Sequence, residues 1–140
     1  MCDQTVTLYN YHEQTKLWHT AVFRNVTLTD TRSSSASQHG TTSGDAVELL
    51  IPAASNRTVD GLQYIGSKEY AARDSPGGCF TFRPEQDFIV VGDCPLEEPV
   101  SEDDYDNGLY HEMNKERDGV YLITASSFYS LIPHFEVEGR

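Results

Sequence analysis

Thr5–Leu28 reads TVTLYNYHEQTKLWHTAVFRNVTL, and its two halves decide the fold. In the first half Val6 and Leu8 alternate with Thr5, Thr7 and Tyr9, the two-residue period of a strand with one face in a core. HEQTK, His12 to Lys16, is a polar turn, and a second alternating run follows from Leu17 to Leu28, so the stretch predicts a β-hairpin. On the second arm Trp18, Thr20 and Val22 share a face with Val26 and Leu28, while Ala21 and Phe23 fall on the other. That pattern predicts a bulge or burial of both faces.

Further along the chain, AVELLIP (Ala46 to Pro52) is a strand with Val47, Leu49 and Ile51 on one face, ended by Pro52. A short strand at Leu62 to Ile65 and a helical turn capped by Ser67 follow. SPGG makes a tight turn before CFTF, and RPEQDFIVVGD reads as a turn leading into a strand. Phe88, Val90 and Gly92 alternate there with Ile89 and Val91, so both faces are apolar and the strand is expected to be central and covered twice. GVYLITASSFYS is a further strand, and LIPHFEVEGR, Leu131 to Arg140, supplies the last one, with Phe135 and Val137 facing in and Glu136 and Glu138 out. A strand so near a chain end is either locked into a sheet or kept as an edge for a partner.

The expectation is therefore a single all-β domain over 1–140, a small barrel or sandwich of about seven mainly antiparallel strands, with Trp18, Phe88, Val90, Phe135 and Val137 as core anchors; the resemblance given below makes the barrel SH3-like. At this length such a domain buries roughly 70% of the surface its unfolded chain exposes. Eight tyrosines and six phenylalanines agree with a β bias. Two segments stand apart. Asp30 to Asp45, DTRSSSASQHGTTSGD, holds one apolar residue, Ala36, and reads as a long flexible loop, 30–45. Leu96 to Asp118 carries nine acidic residues against two basic ones and reads as a solvated acidic excursion, 96–118.

A net charge of -12 repels phosphate backbones and anionic headgroups, which disfavours groove binding to DNA and a membrane surface. The three cysteines, Cys2, Cys79 and Cys94, are odd in number and widely spaced, which suits a reduced compartment and offers neither a disulfide framework nor a zinc motif. The N-terminus has no leader pattern, and no apolar run approaches the length of a membrane span. EDDYDNG fails as a calcium loop: with Gly108 on the invariant glycine, Tyr105 falls on a carboxylate position and Asn114 on the bidentate glutamate. The five histidines show no paired ligand spacing. A hydrolase built on His111 with Asp104 or Asp106 lacks a nucleophile, and Cys94 reads as a small structural cysteine. No catalytic, cofactor-binding or metal residue is predicted, and the protein is not expected to be an enzyme.

The order of fragments carries a resemblance. VTLYNYHEQTKLWHTAVFRNVTL, AVELLIP, YI with Tyr70 beyond it, FTFRPEQDFIVVGD, YLITASSF and PHFEVEGR resemble an uncharacterised family of structural proteins from the neck-gene region of tailed phages and prophages of Gram-positive bacteria. Phe135 stands where a tryptophan is common in that family, which keeps an aromatic anchor. A looser similarity reaches siphophage head-closure proteins, SH3-like barrels that form a ring under the portal. The resemblance implies a virion protein of the head-tail connector, made in the host bacterial cytoplasm, whether in head closure, the neck or tail completion. Its implied partners are copies of itself in a homo-oligomeric ring, portal or adaptor proteins above, and tail-terminator or tail-tube proteins below. Packaged DNA would pass without specific binding. It also implies that Arg32, Ser33, Ser34, Ser35, Gln38, His39 and Gly40 line a channel loop. The alternative is a soluble β-sandwich binding or adhesion module for a carbohydrate or protein ligand, which clustered exposed aromatics would favour.

Overall fold

A computed structural model describes residues 4–30, 46–74, 77–93 and 100–140. The opening hairpin forms as expected, β1 (Gln4–His12) against β2 (Leu17–Asp30), with Leu8 opposite Ala21 and His12 opposite Leu17. β3 (Val47–Pro52) follows, then a small sheet of β4 (Thr58–Val59), β5 (Leu62–Tyr64) and β6 (Cys79–Phe80), with helix α1 (Ser67–Ala72) between its last two strands. β7 (Phe88–Val91), β8 (Val100–Ser101), helix α2 (Leu109–Glu116), β9 (Val120–Tyr129) and β10 (His134–Gly139) complete the order. The main sheet runs β1-β7-β9-β10-β3-β2, and the β1–β2 pairing closes it into a six-stranded antiparallel barrel to which β8 is added at β2. The all-β barrel is as expected; the described residues hold ten strands against the expected seven or so, because β4, β6 and β8 hold two residues each and are too short to leave a periodic signal.

Closure settles the position of the last strand. β10 pairs with β3 on one side, Phe135 opposite Ile51, and with β9 on the other, Phe135 opposite Phe128, so it is no edge. Gly139 permits its end to lie this close: a Cβ there would stand 3.1 Å from the Leu122 carbonyl oxygen. Beyond it Arg140 and Leu122 exchange both backbone hydrogen bonds.

The barrel interior holds Leu8, Phe23, Leu49, Ile51, Ile89, Ile123, Phe135 and Val137, and Phe80 and Phe82 close one end of it. Phe135 and Val137 are therefore interior residues, as their alternation indicates. Trp18, Phe88 and Val90 are equally buried, but on the outside of the barrel wall in a second core with Tyr9, Val100, Leu109, Met113 and Val120. β7 is the doubly covered strand, with Ile89 facing in and Phe88 and Val90 facing out.

Three expectations change. On β2 the face assignment fails past Phe23: Gln4 pairs with Val26 while Val6 pairs with Phe23, so an extra residue bulges out, and Asn25 takes φ 58° there. The bulge moves Val26 and Leu28 to the interior face with Ala21 and Phe23, leaving Trp18 outside. The start of α1 is capped by Gly66, without a side-chain bond, and Ser67 is the first helical residue. The acidic stretch is not a solvated excursion over its described part: Val100, Leu109 and Met113 are buried, and α2 lays Leu109 and Met113, one turn apart, on the outer core. Its glutamates and aspartates hid two anchors at helical spacing. The loop residues Arg32 to Gly40, along with Cys2 and Cys94, lie outside the described residues.

Glu102 joins this acidic segment to the core. One carboxylate oxygen, Oε1, accepts from Trp18 Nε1 at 2.7 Å and from the Leu109 backbone N–H at 2.9 Å, tying β2 to the first turn of α2. Gly108 before the helix adopts φ 88°, and a Cβ there would come within 2.8 Å of the same carboxylate. Glu102→Ala should destabilise the fold by about 1–3 kcal/mol, because both donors lose their acceptor. The Trp18 fluorescence maximum, followed through urea unfolding, checks this; an unchanged midpoint would mean water replaces the carboxylate at no cost.

Candidate assembly surface

The hairpin formed by β9 and β10 turns through Ser130–Pro133, between Tyr129 and its cross-strand partner His134. Leu131 is 94% exposed and Ile132 75% exposed, and Tyr129 beside them is 47% exposed. Two aliphatic side chains at the tip of a turn, on a chain otherwise rich in polar loop residues, are unusual, because turn positions bury little and favour polar side chains.

The turn is held in shape from below. His134 Nδ1 donates to the Ile132 carbonyl at 2.6 Å and Nε2 donates to Glu136 Oε2 at 2.9 Å. Both partners accept, so the arrangement favours the imidazolium, and the ring's pKa is raised, first by the bond to Glu136 and then by the bond to the Ile132 carbonyl. The Tyr129 ring stacks on His134, 5.1 Å between centroids and 16° from parallel. From the other side the Ala53 N–H donates to the Pro133 carbonyl at 3.1 Å, and Arg57 lies over the Phe128 ring at 5.0 Å.

The outward faces of β3 and β10 hold acidic side chains. Glu138 stands directly opposite Glu48, and Glu136 opposite Leu50. Like charges in cross-strand register destabilise a sheet. Glu136 is engaged by His134, whereas no ion pair with either Glu48 or Glu138 is seen among the described residues.

The polar interior is structural in layout. Asp87, fully buried, accepts from the Tyr11 N–H at 3.0 Å, the Arg83 N–H at 3.0 Å and Asn10 Nδ2 at 2.8 Å. Asn10 also donates to the Thr81 carbonyl and accepts from the Thr81 N–H. This knot ties β1 to the loops on either side of Phe82. Buried His12 donates from Nε2 to the Arg73 carbonyl at 2.6 Å, since that oxygen can only accept, and takes the Thr15 hydroxyl on Nδ1 at 2.8 Å. His111 is exposed on α2, and no hydrogen bond links it to Asp104 or Asp106 among the described residues. Among the described residues no group of three or more His, Cys, Asp and Glu side chains is placed to hold a metal ion.

Sequence reading missed both the tip and the knot. Leu131 and Ile132 belong to LIPHFEVEGR, read as the last strand, but β10 begins at His134 and the turn before it exposes them. No motif marks Asn10 or Asp87; the one signal is their place in or beside the apolar runs of β1 and β7.

No helix among the described residues is long and apolar enough to cross a membrane. The sequence profile of DUF6751, a family of unknown function, matches residues 1–140. No curated protein and no solved structure matches the chain.

Proposed function

We propose, for a chain that belongs to DUF6751 and inherits no assigned role from it, that the protein is a structural component of the head-tail connector of a tailed phage particle, joining portal and capsid to tail. One observation carries this reading. The fragments that resemble neck-region proteins take in β1, β2, β3, β7, β9 and β10, the six strands of the barrel, together with Tyr64, Ile65, Tyr70 and the Phe80–Asp87 stretch beside them. The likeness is thus one of the whole scaffold. Supporting it, the six barrel strands have both edges paired, so assembly falls to side-chain surfaces such as the β9–β10 tip or to the short edge strands β4, β6 and β8. The charge of -12 suits a particle part that DNA must pass without sticking.

An adhesion module would be expected to cluster exposed aromatics on one face. Tyr129 is the single aromatic among the exposed large apolar side chains of the described residues, which favours the connector reading.

Sedimentation of the purified chain, alone and mixed with portal rings encoded in the same genome, tests the proposal. Co-sedimentation with portal, or a ring of the chain's own, is the expected result. A stable monomer that ignores portal and binds glycans overturns it.

A further inference from the structure

We propose that the β9–β10 turn and the outer face of β3 and β10 beneath it form the docking surface for a basic protein partner, one that presents an apolar socket edged by lysine or arginine. The inference concerns the chemistry of this surface and stands whether or not the partner belongs to a virion.

The tip supplies the anchor. Leu131 and Ile132 expose most of their surface, and burying each in a socket removes that apolar area from water. The stacked Tyr129–His134 pair and the Ala53–Pro133 hydrogen bond hold the turn in shape, so little ordering entropy is lost on docking. Such a small pre-organised apolar centre with a polar surround has the anatomy of an interface hot spot.

Charge selects the occupant. Toward the end of β10 away from the tip, Glu48 stands opposite Glu138 with no ion pair among the described residues; Arg140 lines the same hollow but is bonded to Glu85, so both carboxylates are open to a cation from outside. Arg57 does not serve, because it sits over Phe128, and Phe128 and Tyr129 point to opposite faces of the hairpin. A second copy laid on this face would bring glutamate against glutamate on a chain already at -12, and an anionic bilayer is repelled for the same reason. A basic protein surface satisfies both the apolar and the acidic parts at once.

The full chain, labelled on leucine and isoleucine methyls and on backbone amides, would be titrated by NMR with a peptide of roughly ten residues alternating leucine and lysine, with a leucine–glutamate peptide as control. The expected result is movement of the Leu131 and Ile132 methyls and the Glu48 and Glu138 amides with the lysine peptide alone. Binding should weaken about tenfold between low and about 0.5 M salt. Leu131→Ser with Ile132→Ser should weaken it by at least about tenfold, which matches the loss of about 1.4 kcal/mol. Glu48→Gln with Glu138→Gln should keep the methyl shifts and flatten the salt dependence. All four positions are at the surface, and the amide spectrum confirms that each variant is folded. Shifts centred on 102–118, binding indifferent to the tip variant, self-association that the tip variant abolishes, or binding to vesicles of anionic lipid would each overturn the proposal.

Discussion

Phe135→Ala is expected to lower the unfolding free energy by about 3 to 5 kcal/mol, a large part of the stability of a domain this size. The ring is 2% exposed and lies within 6 Å, centroid to centroid, of four others: Phe128 at 4.9 Å, Tyr64 at 5.0 Å, Phe82 at 5.3 Å and Phe80 at 5.8 Å. These rings come from β9, the small sheet and the loop after it, so one side chain joins the barrel wall to the structure that closes its end. Truncation opens a cavity that rigid aromatic neighbours cannot collapse into, and each lost ring pair removes about 0.5–1.5 kcal/mol beyond area burial. Urea unfolding followed by circular dichroism would show the midpoint falling with the slope unchanged. A near-neutral result would mean that the end of the barrel repacks freely. Phe135→Trp, which keeps an aromatic ring at this position, would be expected to cost less than Phe135→Ala, about 1–3 kcal/mol from overpacking.

Asp87→Ala should cost about 3 kcal/mol or more, through a different mechanism. The Tyr11 and Arg83 N–H groups would lose their buried acceptor, at about 1–3 kcal/mol each, and Asn10 would lose one of its two acceptors. The carboxyl also gives the effect a pH signature. Burial pushes its pKa up to about 7, against the N–H donors that pull it down. The folded value thus lies above the unfolded one, so between about pH 4 and pH 7 the folded state keeps a proton that the unfolded chain has released. Stability from this group is complete below that window and falls as pH rises through it. The difference between the native chain and Asp87→Ala should accordingly be larger at pH 5 than at pH 8 in paired urea titrations. A difference that stays the same between pH 5 and pH 8 would show that the three donors hold the carboxylate ionised throughout.

Much of the barrel was legible because its signal is local. Alternation in Thr5–Leu28, in AVELLIP, in GVYLITASSFYS and in HFEVEG, and the two-faced apolar run FIVV, named all six barrel strands and a turn, since a strand with one wet face must alternate and a strand covered twice need not. Phe135 and Val137 declared themselves by that period. The acidic stretch was misread for the converse reason: average charge hid Leu109 and Met113, whose meaning rests on a helix only slightly longer than two turns.

The sequence by itself determined the all-β class, the opening hairpin, the central place of β7 and the inward residues of the last strand, all of which follow from backbone period and side-chain polarity. Only the tertiary structure decided which side of the wall Trp18 occupies, that β10 is enclosed and not an edge, that Asp87 lies in a dry knot, and that Leu131 and Ile132 stand in water. The bulge at Asn25 sets which side of β2 each residue faces, closing β1 onto β2 encloses β10, and the β9–β10 turn leaves Leu131 and Ile132 in water. Closure joins residues far apart in the chain, and no local pattern of apolar and polar residues encodes which of them meet.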